Sequence, residues 1–113
     1  MFDHERLDVY QLAATFDATV WRLLPRRGHR ALRDQIERAS SSVMACIAEG
    51  AGRWSPGEKR HFYAIARGSA TECVALLDAL KNRDCVSDQD YDRCRDLLSR
   101  IVQMLSKLSP PAP

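Results

Sequence analysis

The sequence contains few residues that break helices and no long apolar run. Its 113 residues include five glycines and five prolines, and three of the prolines fall in the last four positions. No stretch alternates polar and apolar residues as a half-buried strand would. No apolar run approaches the roughly 18 residues of a membrane span, and the N-terminus, charged from Asp3 onward, lacks a signal peptide's apolar stretch. We therefore expect one all-α domain located in the cytoplasm.

The residues that carry most enzyme chemistry are also sparse. The four cysteines are Cys46, Cys73, Cys85 and Cys94. None of them forms a CxxC pair, which excludes zinc-ribbon and thioredoxin spacing, and we expect free thiols. Glu58 and His61 match one half of a di-iron bundle site, but a second such pair is missing from the sequence. We expect no metal, no cofactor and no enzymatic activity; a small enzyme that uses His61 or Cys85 is the remaining alternative.

Four segments repeat apolar residues three or four positions apart, which predicts four helices. The apolar stripes run over residues 9–24, 32–50, 62–80 and 91–108. We draw the third stripe through eight residues: Phe62, Ile65, Ala66, Ser69, Cys73, Leu76, Leu77 and Leu80. The second stripe contains the small residues Ala39, Ser42, Cys46 and Gly50, which would let a neighbouring helix approach closely.

Start and stop signals separate these segments. Pro25 ends the first helix, and Gly50 and Gly52 end the second. Ser55 with Glu58 predicts a capping box at the third helix, and Ser87 predicts the N-cap of the fourth. Because the connections are short, we predict an antiparallel up-down-up-down four-helix bundle over residues 1–108 and a disordered Pro-rich tail over residues 109–113.

Positive charge concentrates in the middle of the chain, although the formal net charge is only +2. Residues 22–38 and 53–67 hold most of the excess, which is a hint of an anionic partner. We predict phosphate contacts from Arg26, Arg27, Arg30, Arg33, Arg53, Lys59 and Arg60. Trp54 lies between the second and third helices and Trp21 near the end of the first; either could stack on a base or anchor a subunit contact.

Residues 35–72, QIERASSSVMACIAEGAGRWSPGEKRHFYAIARGSATE, resemble the four-helix proteins encoded within intervening sequences of bacterial 23S ribosomal RNA genes. LDVYQLA in the first helix fits the same pattern, so the resemblance covers nearly the whole chain. It implies an antiparallel bundle that assembles as a ring-shaped homopentamer. A related branch, the accessory proteins of diversity-generating retroelements, binds nucleic acid and associates with a reverse transcriptase.

Two functions follow from the charges and the resemblance. The leading hypothesis is a non-enzymatic homo-oligomer that binds RNA or DNA without sequence specificity through its basic surface. The alternative is a structural adaptor for a protein partner such as a reverse-transcriptase-like enzyme, with Trp21 and Trp54 as interface anchors.

Overall fold

The computed structural model describes residues 1–111, which form four α-helices and contain no strand. A short 3₁₀ helix, Asp3–Arg6, precedes them. The helices are α1, Asp8–Leu23; α2, Arg30–Ala51; α3, Pro56–Asn82; and α4, Asp88–Leu108. The prediction of an all-α bundle with four helices is confirmed, whereas the 3₁₀ helix has no apolar repeat in the sequence and was not predicted.

Serine side chains begin α3 and α4 as the sequence predicts. The Ser55 hydroxyl accepts the Glu58 N–H at 3.1 Å, and the Ser87 hydroxyl accepts the Asp90 N–H at 3.1 Å. The carboxylate of Glu58 approaches the guanidinium of Arg53 at 3.9 Å. The first half of the predicted capping box is therefore present, and the Glu58 side chain serves an ion pair.

The connection between α1 and α2 contains two consecutive residues of positive φ. Leu24 ends α1 in an extended conformation just before Pro25. Gly28 then has φ +74° and His29 has φ +50°. A glycine adopts the left-handed region without a steric penalty, so Gly28 suits this position.

The core is an apolar cluster to which all four helices contribute. Its largest fully buried side chains include Phe16, Ile36, Ile47, Leu77, Leu80, Leu98, Ile101 and Leu105. One polar contact lies among them, because the buried Ser40 hydroxyl donates to the Asp17 carboxylate at 2.8 Å. This bond joins α2 to α1 and satisfies a hydroxyl that would otherwise be costly to bury.

The buried face of α3 agrees with the predicted stripe at four residues and differs from it at Tyr63, Ile65 and Ala70. Its buried residues are Tyr63, Ala66, Ala70, Cys73, Leu77 and Leu80. Ile65 is 41% exposed, so its assignment to the core is wrong. The inward face is rotated toward Tyr63 and Ala70 because α3 packs against both α2 and α4, and small alanines fill the contact.

Small residues bring α2 and α3 close together, as the sequence predicts. A Cβ added to Gly50 would lie 2.8 Å from Cε1 and 2.9 Å from Cδ1 of Tyr63. Ser42 and Ser69 share a hydrogen bond of 3.1 Å further along the same pair of helices. Gly50 is buried inside α2 and Gly52 is the C-cap residue, so the close approach rather than helix termination explains Gly50.

The last helix ends at Leu108. Of the predicted tail, Ala112 and Pro113 lie outside the described residues. Within residues 1–111, no helix is both long enough and apolar enough to cross a membrane.

Candidate nucleic-acid interface

The seven predicted phosphate-binding residues fall into two groups at opposite ends of α2. Arg26, Arg27, Arg30 and Arg33 form the connection cluster, around the link from α1 to α2. Arg53, Lys59 and Arg60 form the turn cluster, around the link from α2 to α3. Because α2 has 22 residues, its two ends are about 33 Å apart. The seven cations therefore do not share one patch on a single chain.

One member of the connection cluster supports the fold. The Arg33 side chain is half-buried, and its Nη1 donates to the carbonyl oxygens of Pro25 at 3.0 Å and Arg26 at 3.2 Å. These bonds satisfy two carbonyls of the connection and hold it against the first turn of α2. The guanidinium is thus already engaged, which leaves it fewer donors for a phosphate.

The other three members of the connection cluster are exposed. Arg26 and Arg27 make no ion pair among the residues that the structure describes. Arg30 approaches Asp34 at 4.0 Å, and its side chain is 86% exposed. An ion pair of this length at the surface contributes little to stability. These three guanidinium groups are accordingly available to an anionic partner.

The turn cluster is largely occupied by contacts within the chain. Arg53 bonds to the Glu49 carboxylate at 2.9 Å and lies 3.9 Å from that of Glu58. Its guanidinium also lies over the Phe62 ring, 4.7 Å from the centroid. Two carboxylates and an aromatic face hold this side chain in place, so a phosphate would compete with existing partners.

Lys59 closes the C-terminal end of α2. Its ammonium group donates to the carbonyl of Ala51 at 2.8 Å and reaches that of Gly50 at 3.4 Å. A cation is favourable there because the last carbonyls of a helix carry partial negative charge. Arg60 is half-exposed and makes no ion pair within residues 1–111. It is the member of the turn cluster that remains available.

An exposed tryptophan also lies near each end of α2. Trp54 is 98% exposed in the turn beside Arg53, and Trp21 is 65% exposed on the last turns of α1. Trp21 borders a cleft of about 530 Å³. Leu24 and Pro25 give this cleft apolar walls, and Arg33, Asp34 and Glu37 line its polar side. We call it the Trp21 cleft.

The two carboxylates of the Trp21 cleft, Asp34 and Glu37, belong to no motif in the sequence. Asp34 and Glu37 are three positions apart, so both lie on the face of α2 that carries Arg33. That spacing is visible in the sequence. That they line the same cleft as Trp21 depends on how α1 and α2 pack, which the spacing does not reveal.

The remaining groups of interest are the metal-ligating residue types and the cysteine thiols. No group of three or more His, Cys, Asp or Glu side chains there could hold a metal ion. Burial raises the pKa of the Cys73 thiol to about 12, with further contributions from Glu72 and Asp17. Burial also raises the pKa of Cys94. Both thiols therefore stay protonated at neutral pH, and a protonated thiol is a poor nucleophile.

The family model described as 23S rRNA-intervening sequence protein matches residues 5–107. A search of curated proteins found no match.

Proposed function

The chain belongs to the family of 23S rRNA-intervening sequence proteins, and on this basis we propose that it is a non-enzymatic cytoplasmic homo-oligomer that binds RNA or DNA through its backbone phosphates. The observation that carries the proposal is the exposure of Arg26, Arg27 and Arg30 at one end of the bundle. Guanidinium groups suit phosphate because they donate two parallel hydrogen bonds to its oxygens.

An antiparallel up-down-up-down order is part of this proposal. Contacts between α3 and α4 support it, because Asp78 near the end of α3 pairs with Tyr91 at the start of α4. Arg67, earlier in α3, instead bonds to Ser106 near the end of α4 at 2.7 Å. Early residues of one helix thus contact late residues of the next, as antiparallel neighbours do.

The proposed oligomer is a homopentamer, as the family resemblance implies. A ring would present five copies of the connection cluster and raise the affinity for a long anionic strand through multivalency. Light scattering coupled to size-exclusion chromatography tests the stoichiometry. A mass of five chains is expected, and a monomer would contradict the ring and its multivalent contribution.

The nucleic-acid proposal is tested by titration of a fluorescent structured RNA and a duplex DNA at several salt concentrations. Affinity should fall steeply with salt because bound arginines release counterions from the phosphates. In the triple variant R26A/R27A/R30A, the salt slope should fall by about one for each phosphate contact removed.

A matched control removes the same charge from another surface. Arg93, Arg100 and Lys107 are exposed on α4, and R93A/R100A/K107A also removes three positive charges. We expect this variant to keep nearly the wild-type affinity and salt slope. Equal losses in the two triple variants would mean that net charge, rather than the connection cluster, controls binding. No binding even at low salt would contradict the proposed function.

A protein partner is the second candidate function, and Trp54 favours it. A tryptophan that is 98% exposed leaves a large apolar surface in water, and such residues frequently anchor protein interfaces. The partner would be an enzyme of the reverse-transcriptase type encoded nearby. Loss of co-purification with such an enzyme in W54A, with nucleic-acid affinity unchanged, would favour this candidate.

A further inference from the structure

We propose that the Trp21 cleft holds one unpaired base of a single-stranded nucleic acid, and that it prefers a base with an exocyclic amino group. The proposal rests on the proposed function, since it assigns a base contact beside the phosphate contacts of the connection cluster. The proposed function involves contacts to phosphates alone. The base contact adds a preference for single strands, and for some bases over others.

The first observation is the exposed indole. Trp21 is 65% exposed, and its ring borders a cleft whose other apolar walls are Leu24 and Pro25. Stacking on an aromatic side chain is the usual way in which proteins hold unpaired bases, because every base has a π face. The cleft volume of about 530 Å³ lies within the range of small-ligand sites.

The second observation is that two acidic residues, Asp34 and Glu37, line the same cleft. Glu37 is half-buried, and its carboxylate makes no ion pair within residues 1–111. Within the same residues, the ion pair of Asp34 is the 4.0 Å approach of Arg30. Ionised carboxylates only accept hydrogen bonds, so they match the amino group of cytosine, adenine or guanine. Uracil presents a carbonyl at the position of the cytosine amino group, and two acceptors cannot bond to each other.

The third observation is the position of the cations around the cleft. Arg22 and Arg26 border its rim and are exposed, so they can meet the phosphates on either side of a held base. Arg33 is fixed by the carbonyls of Pro25 and Arg26, which keeps that side of the cleft formed before a ligand arrives. A double helix, whose bases are stacked inside, would engage the arginines but could not place a base against Trp21.

The experiment uses tryptophan fluorescence with two matched oligonucleotides. The chain has two tryptophans, so W54F leaves Trp21 as the only one. Titration with ten-residue oligocytidine and oligouridine compares bases of the same ring size that differ in the amino group. We expect oligocytidine to quench Trp21 emission with about tenfold higher affinity than oligouridine. The variant E37Q should reduce that preference to about twofold, because an amide both donates and accepts.

Further measurements distinguish the binding of a strand from the binding of a single nucleotide. Cytidine monophosphate should bind at least about a hundredfold more weakly than oligocytidine, because it lacks the neighbouring phosphates; equal affinity would overturn the assignment to a strand. W21A should lose about tenfold in affinity for oligocytidine and keep its affinity for duplex DNA within about twofold. Dissociation of the oligomer by W21A would place this residue in a subunit contact and overturn the proposal.

The outcomes distinguish this proposal from the proposed function. If fluorescence anisotropy shows salt-dependent binding but Trp21 emission does not change, the base pocket is wrong and the phosphate-binding function stands. If neither oligonucleotide nor duplex binds at low salt, both proposals fail.

Discussion

The two ends of α2 carry similar residues but use them differently. Each end has a cluster of cations and an exposed tryptophan. In the turn cluster, Arg53 and Lys59 are bound to carboxylates and carbonyls of the chain itself. In the connection cluster, Arg33 is bound in this way, whereas Arg30 approaches Asp34 no closer than 4.0 Å, and Arg26 and Arg27 make no ion pair within residues 1–111. The comparison shows that a count of positive residues overstates the capacity of a surface to bind an anion, because some cations serve the fold.

The ends also differ in how the backbone turns. Between α2 and α3 the turn is short, and Gly50 lets the two helices touch. Between α1 and α2 the connection has positive φ at Gly28 and His29. Nothing lies within 4 Å of a Cβ added to Gly28. In the turn between α2 and α3, side-chain contact therefore restricts which residues fit. In the connection between α1 and α2, backbone conformation does. The predictions below test these two differences.

The largest effect is expected from Gly50→Ala. The new methyl group would lie 2.8 Å from the buried Tyr63 ring, and overpacking of this kind costs up to about 3 kcal/mol. Replacing a glycine inside a helix by alanine stabilises the helix by about 1 kcal/mol, so the net loss in the free energy of unfolding should be about 2 kcal/mol. Urea denaturation measures it. Gly68→Ala, in open space on α3, is the matched control and should stabilise the protein by about 0.5–1 kcal/mol.

Lys59→Met tests whether the turn cluster supports the fold. The substitution keeps an apolar stem but removes the charged donor from the carbonyls of Gly50 and Ala51, so we expect a loss of about 1.5 kcal/mol in the free energy of unfolding. Arg27→Met, in the connection cluster, should change stability by less than about 0.5 kcal/mol. Equal effects at the two positions would break the comparison between the two clusters.

Gly28→Ala tests the backbone of the other end. With φ at +74° and no nearby atoms, the expected loss of about 1 kcal/mol arises from the left-handed conformation alone. Gly28→Asn should lose less, because asparagine tolerates this region better than alanine. Thermal unfolding of the two variants provides the check. An alanine variant as stable as the wild type would mean that the connection adopts another conformation.

The smallest effect concerns the reaction of thiols with a disulfide reagent at pH 8. Cys46 and Cys85 are half-buried and should react, whereas Cys73, with a pKa of about 12, and Cys94 should react only after unfolding. In Gly50→Ala, Cys46 should react several times faster because it lies one turn before the strained contact. Cys85, in the α3–α4 connection, should keep its rate. An equal acceleration at both thiols would indicate a general loosening of the bundle.

Local signals in the sequence predicted the helix boundaries well. Pro25, Ser55 and Ser87 mark the ends and starts that the structure has, because proline geometry and capping hydroxyls act within a few residues. The buried face of α3 was predicted less well. Ile65 was assigned to the core and is exposed, whereas Tyr63 and Ala70 are buried. Hydrophobicity alone assigns large apolar residues to the core. It cannot show which positions of a helix will contact two neighbouring helices at once.

The candidate site could likewise be predicted only in part from the sequence. The sequence by itself determined that the chain is helical and that positive charge is concentrated around the two ends of α2, because periodicity, caps and composition are local properties. Only the tertiary structure decided that Lys59 and Arg53 serve the fold, that Arg26, Arg27 and Arg30 remain exposed, and that Trp21 shares a cleft with Glu37. Those facts depend on which residues lie close together in the folded chain, and the separation of two residues along the sequence does not give their distance in space.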